Sequence, residues 1–123
     1  MVMQYTTHQV GPGITVAEFT GQLTLGNRLL EVEHDIKERI LKDCTKLVLD
    51  VTKLSYIDSA GIGMLALCVG TLQRAGGQVN LAVVDGKVKN MIELVRLNQV
   101  VSLYPDAAAA CAALAGPAAA PPA

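Results

Sequence analysis

The sequence predicts an α/β sandwich, a mixed β-sheet of four to five strands packed by about four helices, mainly on one face or on both. Three observations carry that expectation. Runs rich in β-branched residues alternate with segments of helical period along the chain. The stretch "KLVLDV" (46–51) is almost continuously apolar, as suits a strand covered on both faces of a mostly parallel sheet. Glycines and prolines mark the joints between these segments, and strands that alternate with helices define the α/β class.

Taken in order, residues 2–7 offer a short partner strand, "GPG" (11–13) a turn, and "ITVAEFTG" (14–21) a β-branched strand. "GNRLLEVEHDIKERILKD" (26–43) follows with Leu29, Val32, Ile36 and Ile40 at helical spacing. Its solvated face carries Glu33–Lys37, Asp35–Arg39 and Glu38–Lys42, opposite charges four apart with the acid first. After the strand at 46–51, Ser59 to Ala75 reads as a second helix, stopped by Gly76-Gly77. "QVNLAVV" (78–84) is a further strand. "KVKNMIELVRLN" (87–98) is a third helix with Val88, Met91, Ile92 and Val95 on one face. "VVSLY" (100–104) adds a last strand, and "PDAAAACAALAG" (105–116) an alanine-rich helix with Pro105 at its start. Residues 1–115 are expected to form a single domain. The tail at 116–123, of glycine, alanine and proline alone, has no large apolar side chain to bury and is expected to be disordered.

Composition narrows the function. The 123 residues carry a net charge of −1, with basic residues scattered. A nucleic-acid or anionic-membrane surface needs a cluster of Lys and Arg, so neither partner is expected. Cys44, Cys68 and Cys111 are odd in number and lack C-x-x-C spacing, which points to buried free thiols in a reducing compartment rather than a metal site or disulfides. The opening "MVMQYTTHQVG" has no basic region leading into an apolar core, so no signal peptide is evident. "AGIGMLALCVG" (60–70) falls short of the ~20 residues that span a bilayer. A cytoplasmic location is expected.

The stretch that asks for an explanation is "YIDSAGIGML" (56–65), where an acid, a hydroxyl and two glycines open an apolar helix. A helical glycine costs roughly 1 kcal/mol relative to alanine, so two in the first turns imply a close approach to the backbone. Dinucleotide binding is one reading, because Gly61 to Ala66 fit G-x-G-x-x-[G/A] and Asp85 lies near the end of the next strand. Against it, Thr52 to Asp58 separate the strand from the glycines, Asp58 would repel a pyrophosphate, and the chain is too short for the two-lobed cofactor fold. A serine hydrolase is a second reading. It fails because Ile57 stands at the first glycine of G-x-S-x-G, and both histidines, His8 and His34, precede Ser59. Neither catalysis nor a cofactor is expected.

The plainest reading is a helix cap by Asp58 or Ser59, worth about 1 kcal/mol. The helix itself asks for more. Ile62, Leu65, Val69 and Leu72 form a stripe for the sheet, while Met64, Leu67 and Cys68 form a second apolar face. That face either packs on the third helix or docks a partner, to which the small glycines at the helix start allow close approach. Asp58, Ser59, Ala60, Gly61, Gly63, Met64, Leu67 and Cys68 are therefore the candidate partner-binding residues. A phosphate on Ser59 would add roughly 1.5 to 2 negative charges. The helix N-terminus tolerates that charge, whereas a partner already meeting Asp58 would be repelled.

"KLVLDVTKLSYIDSAGIGML" resembles the STAS domain, and specifically the stand-alone bacterial anti-sigma factor antagonists, whose hallmark is D-S-[SA]-G opening a helix after a strand and loop. "TGQLT" is similar to that family's G-x-L turn and "RAGGQVNLAVV" to its helix–glycine–strand passage, so the resemblance covers most of the chain. It implies a small STAS-like sandwich that binds an anti-sigma factor, itself a serine kinase, while unphosphorylated. Phosphorylation of Ser59 would release the kinase, a serine phosphatase would reset the protein, and sigma-factor availability and transcription would follow. The ATP chemistry belongs to the kinase, which again implies no cofactor here. Thr24 departs from the acid that many members carry after G-x-L, and Ala60 replaces a frequent second serine. The alternative within the family is an interaction module of another assembly, such as a lipid-transport ATPase or a stress-signalling complex. The lack of a surrounding membrane chain argues against the anion-transporter variant.

Overall fold

A computed structural model describes residues 3–10, 13–42 and 45–115, with side chains from Arg39 to Cys44 and at Ala115 left aside. Five strands and four helices follow in the order β1 (Gln4–Gln9), β2 (Ile14–Leu23), α1 (Asn27–Lys42), β3 (Lys46–Ile57), α2 (Ser59–Arg74), β4 (Gln78–Ala82), α3 (Lys87–Leu94), β5 (Ser102–Tyr104) and α4 (Ala107–Ala115). A 3₁₀ turn at Leu97–Gln99 precedes β5. The sheet order is β1-β2-β3-β4-β5. β1 runs antiparallel to β2, and every other pair is parallel.

Each crossover from β2 to β5 moves one strand in the same direction. Crossovers of one hand then place α1, α2 and α3 on one face. The core on that face is built from Phe19, Leu29, Val32, Ile36, Leu49, Leu65, Leu72, Leu81 and Ile92. α4 turns back beneath the other face, where Ala110, Cys111 and Leu114 cover Ile14, Val16, Val48 and Ala82. The buried Asn80 side chain donates to the Ala110 carbonyl at 3.0 Å and fastens that layer. Helices thus occupy both faces. The two-sided burial of β3 has a simple origin in its alternation: Leu47, Leu49 and Val51 face the three-helix layer and Val48 faces α4.

Several boundaries move from where the sequence places them. β3 is twelve residues long and reaches Ile57, although "TKLSYI" reads as a loop. Beyond Asp50 it pairs only with β2, because β4 ends opposite it at Ala82. Its second half is therefore half-exposed, with Leu54 and Ile57 buried and polar residues between. Register shifts near Thr20 and Gly21 bend the β2–β3 pair there, and the Ser55 hydroxyl bonds the Gly21 carbonyl at 3.1 Å. α3 stops at Leu94, four residues early. Arg96 turns left-handed at φ 63° and lets Leu97 enter the core, which leaves Val95 exposed rather than on the buried face. β5 is confined to Ser102–Tyr104. α4 is capped by Asp106, which accepts from the Ala109 amide at 2.7 Å, so Pro105 lies outside the helix.

The Glu33–Lys37 pair forms at 3.1 Å. The partners Arg39 and Lys42, the first two residues of the "GPG" turn, Cys44 and the tail at 116–123 lie outside the described residues. Among the described residues, no helix is long and apolar enough to cross a membrane.

Candidate functional site at the start of the second helix

The parallel strands β2 and β3 end side by side, and α2 begins one residue past β3. That residue is Asp58. Its extended backbone accepts the first helical bond from the Ile62 amide at 3.0 Å, while its own amide donates to the Leu23 carbonyl at 3.2 Å. One carboxylate oxygen accepts from the Gly61 amide at 2.8 Å and caps α2. The other accepts from the Leu25 amide at 3.1 Å, in the connection from β2 to α1. Asp58 is thus a clamp between two segments 33 residues apart in sequence. Partial burial works against its ionisation, but the Gly61, Leu25 and Ala60 amides together outweigh it and hold the carboxyl below its ordinary value.

Asp58→Ala removes the cap and the loop anchor together and is expected to destabilise the fold by about 2 kcal/mol at neutral pH. A depressed carboxyl stabilises fully above its unfolded value near 3.8, and the gain disappears as pH falls through the folded value. The gap in denaturant midpoint between wild type and variant should therefore be constant from pH 7 to 5 and narrow in acid.

The two glycines have different tasks. A Cβ on Gly61 would collide with the Leu23 carbonyl oxygen and stand 2.8 Å from Ile57 Cγ1, so the close approach there is the chain's own. Gly63 is exposed, and a Cβ there meets nothing within 4 Å. Ser59, the first residue of α2, is exposed, with Ala60 half-buried behind it.

Met64 and Cys68 lie inside. Both are 2% exposed, and Cys68 Sγ sits 3.7 Å from Met64 Sδ. α1, rather than α3, covers this side of α2, bringing Glu33 and Lys37 near Cys68. Burial, then the Glu33 charge, push the Cys68 thiol up to about 12, so it stays protonated and inert. The two residues support the site from behind. What faces outward is Ser59, Gly63, Ala66 and the half-buried Leu67.

Sequence reasoning missed Leu25, which is 74% exposed and held beside the helix start by Asp58, and Tyr56, 46% exposed at the end of β3. The signal for Leu25 was the second carboxylate oxygen of Asp58, which a simple cap leaves unused. Thr24 precedes Leu25 in the same tethered connection. His8 and His34 are exposed on β1 and α1. The strand-to-glycine spacing, counted against dinucleotide binding in the sequence, is in fact short. What opposes that reading is the Asp58 carboxylate, already seated on the α2 amide that an incoming phosphate would need.

A mixed sheet covered by helices on both faces, with an exposed serine opening a glycine-bearing helix and its preceding acid turned inward, defines a small α/β domain. The family model of the STAS domain matches residues 5–110, and the chain belongs to that family. Among solved structures it is similar to an anti-sigma factor antagonist from Mycobacterium paratuberculosis at 19% identity, covering 91% of this chain and 93% of that one with a TM-score of 0.80. The anti-sigma factor antagonist SpoIIAA in its unphosphorylated form gives 17% identity, 93% and 98% coverage and a TM-score of 0.80. A sulfate transporter family protein from Wolinella succinogenes gives 14% identity, 86% and 88% coverage and a TM-score of 0.70. No curated protein sequence matches the chain significantly.

Proposed function

We propose that this domain is an anti-sigma factor antagonist. It binds an anti-sigma factor serine kinase while Ser59 is unmodified and leaves it once Ser59 is phosphorylated; a serine phosphatase restores the binding form. The observation that supports this most is the placement of Ser59, an exposed hydroxyl at a helix start whose neighbouring acid is committed to the fold. A kinase can reach the hydroxyl without unfolding anything. The added charge would sit at the positive end of the α2 dipole, so the fold keeps it. The contact surface consists of Ser59, Ala60, Gly63 and Leu67 beside the half-buried Asp58, with Gly61, Met64 and Cys68 beneath, and transcription responds through the sigma factor released.

Incubation with the candidate kinase and ATP, followed by intact-protein mass spectrometry, tests the reading. One phosphate that is absent from Ser59→Ala is the expected result; no phosphate with any kinase from the same source overturns it. Similarity to the transporter-family structure supports the second reading, a STAS module serving another assembly without a sigma-factor role. That module would bind its partner equally well before and after the kinase treatment.

A further inference from the structure

The two edges of the sheet are built differently. β5, at one edge, has three residues, too short to template much pairing. β1, at the other, has six, "QYTTHQ", in unbroken register with β2. It carries none of the devices that blunt an open edge: no lysine, no acid, no proline and no bulge. Among the described residues, β1 pairs only with β2.

The register fixes which backbone groups point outward. The Val10 amide donates to the Ile14 carbonyl at 2.9 Å, which makes Val10–Ile14 a hydrogen-bonded pair. Such pairs alternate along an antiparallel ladder. His8–Val16 and Thr6–Glu18 are then bonded pairs too, while Thr7 and Gln9 direct their amide and carbonyl groups away from β2. Thr7 is the outward-directed residue nearest the middle of the strand.

We propose that β1 pairs with β1 of a second copy of this chain around a two-fold axis at Thr7, joining two sheets into one of ten strands. The two-fold makes the strands antiparallel, as this pairing requires. It sets Thr7 against Thr7 of the second copy, exchanging the N–H and C=O groups that face outward, and Thr6 against His8 of the second copy on one sheet face. No Asp, Glu, Lys or Arg lies in either strand to oppose the contact. This matching of an uncharged strand to itself favours a second copy over an unrelated extended peptide. Ser59, just past the far end of β3, stays outside the contact.

Sedimentation velocity over a concentration series tests the pairing. The wild-type mass should rise towards twice the 12.9 kDa of one chain. Thr7→Pro removes only an outward amide, which an edge strand tolerates, and should hold the mass at one chain. Thr7→Lys sets two like charges across the axis and should do the same, with far-UV circular dichroism unchanged; it serves if the proline variant folds poorly. A wild type that stays at one chain throughout, or a dimer that persists in a folded Thr7→Lys, overturns the proposal. A dimer formed elsewhere, or an edge kept for a peptide, would give those results.

Discussion

Gly61→Ala is expected to destabilise the protein by about 3 kcal/mol, lowering the melting temperature by roughly 10 °C. Alanine is ordinarily the better helix former, by about 1 kcal/mol, so local propensity predicts the opposite sign. Packing decides because the obstacle is the Leu23 carbonyl oxygen, a backbone atom that cannot swing aside like a side chain. Moving it would also stretch the 3.2 Å bond from the Asp58 amide and the junction of β2 with α2. Gly63→Ala, two residues on, is the internal control. Its new methyl meets nothing within 4 Å, so propensity acts alone and the protein should gain about 1 kcal/mol. Paired denaturant titrations of the two variants read the difference directly. If Gly61→Ala were as stable as wild type, the described seat of α2 on the end of β2 would be wrong.

That contrast also shows how far the sequence could be read. The elements were legible because apolar spacing is local: Leu29, Val32 and Ile36 mark α1, and the buried stripe of Ile62, Leu65, Val69 and Leu72 marks α2. The second half of β3 was not legible. Thr52, Lys53 and Ser55 are polar because β4 ends at Ala82, a fact about another strand. Asp58 and Ser59 stand out in the sequence as a pair, but the division of labour within the pair depends on Leu23 and Leu25, more than thirty residues away. The same distance hides the cover over Met64 and Cys68. Their spacing shows an apolar face, while only the tertiary packing shows that α1 takes it.

Ser59→Asp is expected to keep the fold and weaken binding to the proposed kinase partner by roughly 30-fold or more. An acid in the first helical turn is favourable by about 0.3 to 1 kcal/mol, so the melt of the free protein should stay close to wild type. In the complex the same carboxylate must lose water beside Asp58, whose carboxyl is held in its charged form by the Gly61 and Leu25 amides. Desolvating two adjacent carboxylates under a partner costs several kcal/mol, and about 2 kcal/mol already gives the stated loss. Ser59→Ala adds no charge and should bind as the unmodified protein does, with or without ATP. Added salt should recover part of the lost Ser59→Asp affinity if repulsion is the cause, since screening acts on charges near the surface. Calorimetry of the three proteins against the kinase separates the explanations. Loss of binding together with loss of structure would make the effect one of stability, and equal binding by all three would remove Ser59 as a switch.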